Sequence, residues 1–159
     1  MPSEPVLSAV QRAFIESARR AVLATIAPDG RPRLVPICFS LDPERPVLYT
    51  PLDEKPKRAD DPLTLARVRD IRADPRVSVL VDRWDEDWTR LAWLRAAGSA
   101  EIVEPGADGA ALEYAAAVAA LRARYPQYET HRLEARPVIR VTLERVTEWG
   151  RLHRRRRRS

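Results

Sequence analysis

Lys55 and Lys57 are the only lysines among 28 basic residues, and they fall in one three-residue window. The window sits in Pro51-Leu-Asp-Glu-Lys55-Pro-Lys57-Arg58, directly after the apolar run Val47-Leu-Tyr49-Thr50. Arg67 and Arg69 follow it, and Arg33 lies on a preceding strand that antiparallel pairing can bring near Thr50. Several cations and a threonine hydroxyl gathered at one end of a β-structure suit a phosphate, whose anionic oxygens accept charge-assisted hydrogen bonds. The competing reading is a solvated loop in which Asp53, Glu54, Asp60 and Asp61 balance the charge.

Other chemistry is thinly represented. The five glycines, Gly30, Gly98, Gly106, Gly109 and Gly150, form neither G-x-G-x-x-G nor a Walker-type loop, and no G-x-S-x-G occurs. His131 and His153 are far apart, without ligand partners at useful spacing, so no metal site is expected. The single Cys38 excludes an intrachain disulfide and reads as a buried structural thiol. Asp85-Glu86-Asp87 reads as a solvated acidic loop. With no visible nucleophile or metal centre, a catalytic reading requires a cofactor to carry the reaction.

The elements that must position these residues follow from pattern. A chain of 159 residues, 45% hydrophobic, is one globular domain and too apolar for wholesale disorder. No apolar run approaches the ~18 residues of a membrane span. The N-terminus lacks the basic and apolar blocks of a signal peptide, so a cytoplasmic protein is expected. The net charge is +5, but without Arg154 to Arg158 the remaining 23 basic residues match the 23 acidic ones. Residues 1–150 are therefore expected to form an electrically balanced domain and residues 151–159 a disordered basic tail. Nucleic acid is not an expected partner of the folded body; the tail alone would give weak, salt-sensitive contact.

Leu7 to Arg19 reads as a helix, with Ser3 or Ser8 as cap. Ala21 to Ala27 and Arg33 to Leu41 read as strands around Pro28-Asp29-Gly30-Arg31, a strong hairpin signal. A turn at Asp42 to Arg45 leads to a third strand, Val47 to Thr50. Pro51 to Pro62 is a loop, and Leu63 to Ala73 a helix with Leu65, Val68 and Ile71 on one face. Asp74-Pro75 ends it. Val77 to Asp82 is a buried strand, Arg83 to Arg90 a charged loop carrying Trp84 and Trp88, and Leu91 to Val103 a long strand bent at Gly98. An alanine-rich helix, Ala110 to Arg124, stops before Pro126. Val138 to Trp149 alternates, with one wet side. The fold class is α+β, mainly β. Six antiparallel strands with flanking helices most economically close into a small barrel, which removes the sheet edges.

The order Arg33-Leu34-Val35-Pro36, then Val47-Leu-Tyr49-Thr50, then the lysine loop, then Ala73-Asp-Pro-Arg-Val-Ser-Val-Leu-Val-Asp82 resembles the pyridoxamine 5'-phosphate oxidase-like split-barrel superfamily. Ala24-Thr-Ile-Ala-Pro-Asp-Gly-Arg-Pro fits as well. Asp85-Glu-Asp-Trp88-Thr-Arg-Leu-Ala-Trp93-Leu-Arg-Ala-Ala-Gly98 is similar to the actinobacterial branch that uses the deazaflavin coenzyme F420. The resemblance covers residues 7–150. It implies a homodimer of six-stranded split barrels with a flavin or deazaflavin in each of two interfacial grooves. Carried over by position, it implies that Arg33, Leu34, Val35, Pro36, Tyr49, Thr50, Lys55 and Lys57 hold the cofactor. It further implies that residues near Trp93 approach the cofactor from the other subunit; Trp84 and Trp88, in their charged loop, read as dimer interface or pocket rim rather than core, and Trp88 and Trp93 are counted with the cofactor-binding residues. The loop departs from the Ser-Arg-Lys of the flavin enzymes, and the substrate-binding features of true pyridoxamine phosphate oxidases are absent near the C-terminus.

The expected activity is F420-dependent hydride transfer to an electron-poor small molecule. The catalytic residues are unassigned, and solvent or Tyr49 is the proton donor to consider. The alternatives are an FMN oxidase or reductase of the same fold, and a non-catalytic carrier of deazaflavin, FMN or haem.

Overall fold

The first helix is fixed by its cap. The Ser8 hydroxyl accepts from the Gln11 backbone N–H while the Gln11 side chain accepts from the Ser8 N–H. In this computed structural model, which describes residues 6–52 and 61–153, helix α1 accordingly spans Ala9–Ser17, two residues shorter at each end than its pattern suggests. It buries Phe14 and Ile15.

Strand β1 (Ala21–Ile26) alternates buried and half-buried residues. It turns through Asp29 and Gly30, which takes φ +82°, into β2 (Pro32–Ile37), with Thr25 opposite Arg33 and Leu23 opposite Val35. The expected return strand does not run on to Leu41. After Cys38 and Phe39 the chain begins a separate two-residue strand, β3 (Ser40–Leu41), which pairs with β4 (Val47–Pro51). Among the described residues seven strands thus replace the six expected. Then come α2 (Ala66–Ala73), β5 (Arg76–Arg83), β6 (Ala92–Val103), α3 (Ala111–Arg124) and β7 (Val138–Gly150).

The sheet order is β2-β1-β5-β6-β7-β4-β3, antiparallel at every pairing. Its curvature follows from connectivity. Laid flat, seven strands would separate β2 from β3 by roughly 29 Å. Yet only Cys38 and Phe39 join Ile37 to Ser40, and three chain steps reach at most about 11 Å. The sheet has to curl until its edges meet at that corner, which makes a split barrel. The Tyr125 hydroxyl locks the corner, accepting from the Phe39 N–H at 3.0 Å. The pairing expected between the Arg33 strand and Thr50 is therefore not formed: β2 pairs with β1, and β4 pairs with β3 and β7.

The longest pairing, β6 with β7, slips between Ala97 and Gly98, leaving Glu144 as the extra residue of a bulge. A Cβ at Gly98 would lie 2.0 Å from the Thr142 carbonyl oxygen, so the bend expected there needs glycine. Two apolar clusters result. The interior gathers Leu23, Phe39, Leu48, Val68, Ile139 and Val141. The second lies outside the barrel, where Tyr114, Val118 and Leu121 of α3 cover Val47, Tyr49 and Val138. Strand β4 is consequently buried on both faces. Each fully buried leucine contributes about 1.5–3 kcal/mol.

The expected helix Leu63 to Ala73 is a 3-10 turn, Pro62–Thr64, followed by α2, with Leu65 between them as cap. The domain also runs past residue 150. Gly150 takes φ +83°, Leu152 is buried in the interior cluster, and the Arg83 guanidinium donates to the carbonyls of Arg151 and Leu152. Arg154 to Arg158 lie outside the described residues. Among the described residues no helix is long and apolar enough to cross a membrane.

Candidate functional site

The hairpin register decides which residues of β2 can act together. Cross-strand partners share a face. Arg33, opposite the inward-facing Thr25, therefore lies on the inner side at the turn end of the hairpin, and Val35 follows it against the interior cluster. Leu34 and Pro36 point outward and are exposed. The four consecutive residues expected to hold a cofactor are split between the two faces of the sheet.

Helix α2 supplies the partner of Arg33. Val68 and Ile71 anchor it to the interior and carry Asp70, which is only 2% exposed, to the β1–β2 corner. One carboxylate oxygen, Oδ2, accepts from Thr25 Oγ1 at 2.8 Å and from Arg33 Nε at 2.7 Å. A buried carboxylate needs such donors, because an unpaired charge away from water is costly. The Arg33 side chain remains 44% exposed. Among the described residues nothing bonds its two terminal nitrogens. These are the donors an incoming anion would meet. Thr25 and Asp70 were not marked by residue type alone. Their signal is a hydroxyl and a carboxylate on otherwise apolar faces.

Tyr49 and Thr50 sit elsewhere. Tyr49 faces α3, and its hydroxyl donates to Glu113 Oε1 at 2.5 Å while accepting from Arg45 Nη2 at 2.9 Å. Arg140, its cross-strand neighbour on β7, holds the other carboxylate oxygen of Glu113 at 2.7 Å and also reaches Glu101. Burial, reinforced by the hydrogen bond to anionic Glu113, pushes the Tyr49 phenol well above its ordinary value. This phenol is a committed structural donor. Thr50 is buried opposite Ile139. Lys55 and Lys57 lie outside the described residues.

Trp93 is half-buried on the outer face of β6, opposite Asp82 on one side and Trp149 on the other, with the Arg95 guanidinium 5.7 Å from its ring centre. Trp88 opens a 3-10 turn, Trp88–Arg90, and is 71% exposed. Trp84 and Trp149 are also exposed. Pairing extends this outer face into rows. One runs Pro36, Val22, Leu80, Arg95, Thr147; the next runs Leu34, Ala24, Ser78, Ala97, Arg145. Leu34, 63% exposed, thus stands above a floor of small residues. Leu80 and Trp149 are exposed on the same face, which also carries Arg95 and Arg145.

The remaining candidates do not converge on this corner. Cys38 is half-buried against the α3 cluster, and the His131 ring packs edge-on to Tyr128 at 5.4 Å. Among the described residues no group of His, Cys, Asp and Glu side chains could hold a metal ion. A groove of about 340 Å³ runs along α1 beside Arg83 and Leu152. It lies at the other end of β5 from the Ser78–Ala24 pairing that adjoins Thr25.

A family model described as pyridoxamine 5'-phosphate oxidase matches residues 7–150. Among solved structures, a conserved hypothetical protein of Mycobacterium tuberculosis, Rv2991, is 23% identical with a TM-score of 0.70, over 94% of this chain and 88% of that one. An FAD-binding protein of Mesorhizobium loti is 26% identical at a TM-score of 0.60, over 89% and 94%. The haem storage protein HutZ of Vibrio cholerae shares the fold at 16% identity and a TM-score of 0.62, over 89% and 94%.

Proposed function

The chain belongs to the pyridoxamine 5'-phosphate oxidase family, and from that premise we propose an oxidoreductase that grips a flavin-type cofactor by its phosphate at Arg33. The cofactor is coenzyme F420, with FMN as the alternative. The observation that carries this reading is the half-exposed Arg33 guanidinium, held through Nε by a buried carboxylate, with neither terminal nitrogen bonded among the described residues. That donor set fits a phosphate, which accepts two parallel N–H bonds from one guanidinium. Lys55 and Lys57 belong to the same proposal as further cations of the sequence that follows β4, and Thr50 as part of the strand end before it.

Once bound, the cofactor supplies hydride transfer to an electron-poor small molecule, chemistry absent from the side chains themselves. The chain's own part is to anchor the phosphate, exclude water and orient the rings. The family likeness and the exposed outer face together support a homodimer, in which a second copy covers Leu34, Leu80 and Trp149. Trp88 and Trp93 then stand at the subunit boundary, where aromatic residues are favoured. A cytoplasmic setting goes with this reading.

A carrier that binds the cofactor without turnover is the second reading. It is favoured by the commitment of the Tyr49 hydroxyl to Glu113, which leaves that residue unfit as a proton donor. Titration with F420, FMN and haem, followed by tryptophan fluorescence, tests binding. A panel of quinones and activated alkenes tests turnover. Saturable binding of F420 or FMN with reduction of an acceptor is expected. Flavin binding without reduction of any acceptor selects the carrier, and saturation by haem alone refutes both flavin readings.

A further inference from the structure

A long, half-exposed arginine can bind an anion unaided, so Asp70 calls for an explanation. It is nearly inaccessible, it is paired with Arg33, and its Oδ2 is shared between Thr25 Oγ1 and Arg33 Nε. A bond to Nε differs from one to a terminal nitrogen. It restricts rotation of the guanidinium about the end of its stem and leaves the end-on edge, where Nη1 and Nη2 each carry one of two parallel N–H groups, facing away from the carboxylate. Thr25 in turn holds the carboxylate oxygen in place from β1. The chain of contacts therefore runs from the rigid hairpin, through Thr25 and Asp70, to the orientation of Arg33. Asp70 also offsets the charge of Arg33. The corner then attracts an anion by direction more than by net charge, and rewards one whose oxygens meet two parallel N–H groups.

We propose that Asp70, seated by Thr25, is a positioning residue that presents the terminal nitrogens of Arg33 to the phosphate of the bound cofactor. It touches neither the phosphate nor the rings. The inference rests on the reading of Arg33 as the phosphate anchor, and it concerns the phosphate alone. A merely structural role, tying α2 to the hairpin, would affect every ligand alike or none.

The test compares ligands with and without phosphate. FMN is set against riboflavin, or F420 against its phosphate-free chromophore, whichever pair the wild-type protein takes. Fluorescence titration is run on the wild type, Asp70→Asn and Thr25→Val, the last being nearly isosteric and preserving the fold if Asp70→Asn does not. Asp70→Asn is expected to weaken the phosphorylated ligand about tenfold or more, the worth of one charge-assisted hydrogen bond, and to leave the phosphate-free ligand unchanged. Thr25→Val shifts the same ratio in the same direction. Without ligand, the Arg33 Nε–H proton gives an exchange-protected NMR signal in the wild type that Asp70→Asn loses. Equal loss for both ligands, or none for either, overturns the inference and leaves the flavin reading standing. A wild-type protein that binds neither pair removes that reading and the inference with it.

Discussion

Replacing Tyr49 with phenylalanine separates two roles that one residue cannot hold together. By its place in the sequence, Tyr49 would line a cofactor and donate a proton. By its geometry, its hydroxyl bridges Arg45 and Glu113 beneath α3. Phenylalanine keeps the ring and its packing against Val47 and Leu121, and deletes only the hydroxyl. A hydrogen bond to a charged partner is worth about 1.5–3 kcal/mol. Here Arg45 and Arg140 still hold Glu113, and Arg45 is half exposed, so water recovers part of the loss. The expected destabilisation is about 1–2 kcal/mol, which lowers Tm by roughly 2–8 °C for a domain of this size. The pH dependence has a definite sign. A phenol raised in the folded state binds its proton more tightly there, so its stabilisation is full below pH ~10 and is lost as pH rises beyond it. Tyr114, also raised chiefly by burial, adds to the alkaline loss, so Tyr49→Phe makes the decline shallower without removing it. Thermal melts between neutral and alkaline pH, with cofactor titrations beside them, provide the assay. An unchanged Tm with cofactor binding weakened tenfold or more would refute the reasoning.

Gly98→Ala should cost roughly 3 kcal/mol or more, because the added Cβ meets the Thr142 carbonyl, a backbone atom that cannot swing away; urea unfolding at wild-type stability would contradict this. Leu34→Glu should convert a wild-type dimer to monomer in sedimentation equilibrium with the melting temperature little changed, since Leu34 projects outward from edge strand β2. A dimer that survives the change would argue against that face. Asp74 is held at about pKa 2 by its hydrogen bonds with Arg76. Its contribution to stability is therefore present above the ordinary carboxylate range and fades as pH falls toward 2. NMR titration of Arg76→Ala should move the Asp74 midpoint upward, part of the way to the ordinary carboxylate range because the backbone N–H of residue 76 still donates to it, and an unmoved midpoint would contradict the pairing.

Local chemistry made much of the barrel legible. Asp29-Gly30 placed the first hairpin, and its register puts Arg33 opposite Thr25. Gly98 marked the bulge. The break of Arg33–Leu41 into two strands on opposite sheet edges was not legible. Cys38-Phe39-Ser40 keeps a strand-like pattern throughout, and only distant partners, β4 and Tyr125, decide where it belongs. The same long-range choice misplaced Arg33 beside Thr50. Leu152 was hidden by its arginine neighbours, whose charges outweighed one buried leucine in any reading by composition. Asp70 was hidden because a carboxylate on a helix is usually solvated. What distinguishes it is its place between Val68 and Ile71 on the face that packs inward.

The central claim is that Arg33 anchors the phosphate of a flavin-type cofactor. Isothermal titration of FMN and F420 into the wild-type protein and Arg33→Ala tests it most directly, with circular dichroism confirming that both are folded. The account predicts saturable binding of one of the two by the wild type and a loss of about tenfold or more in the variant. Affinity that is the same in both proteins, or no saturable binding of either cofactor by the wild type, would contradict it.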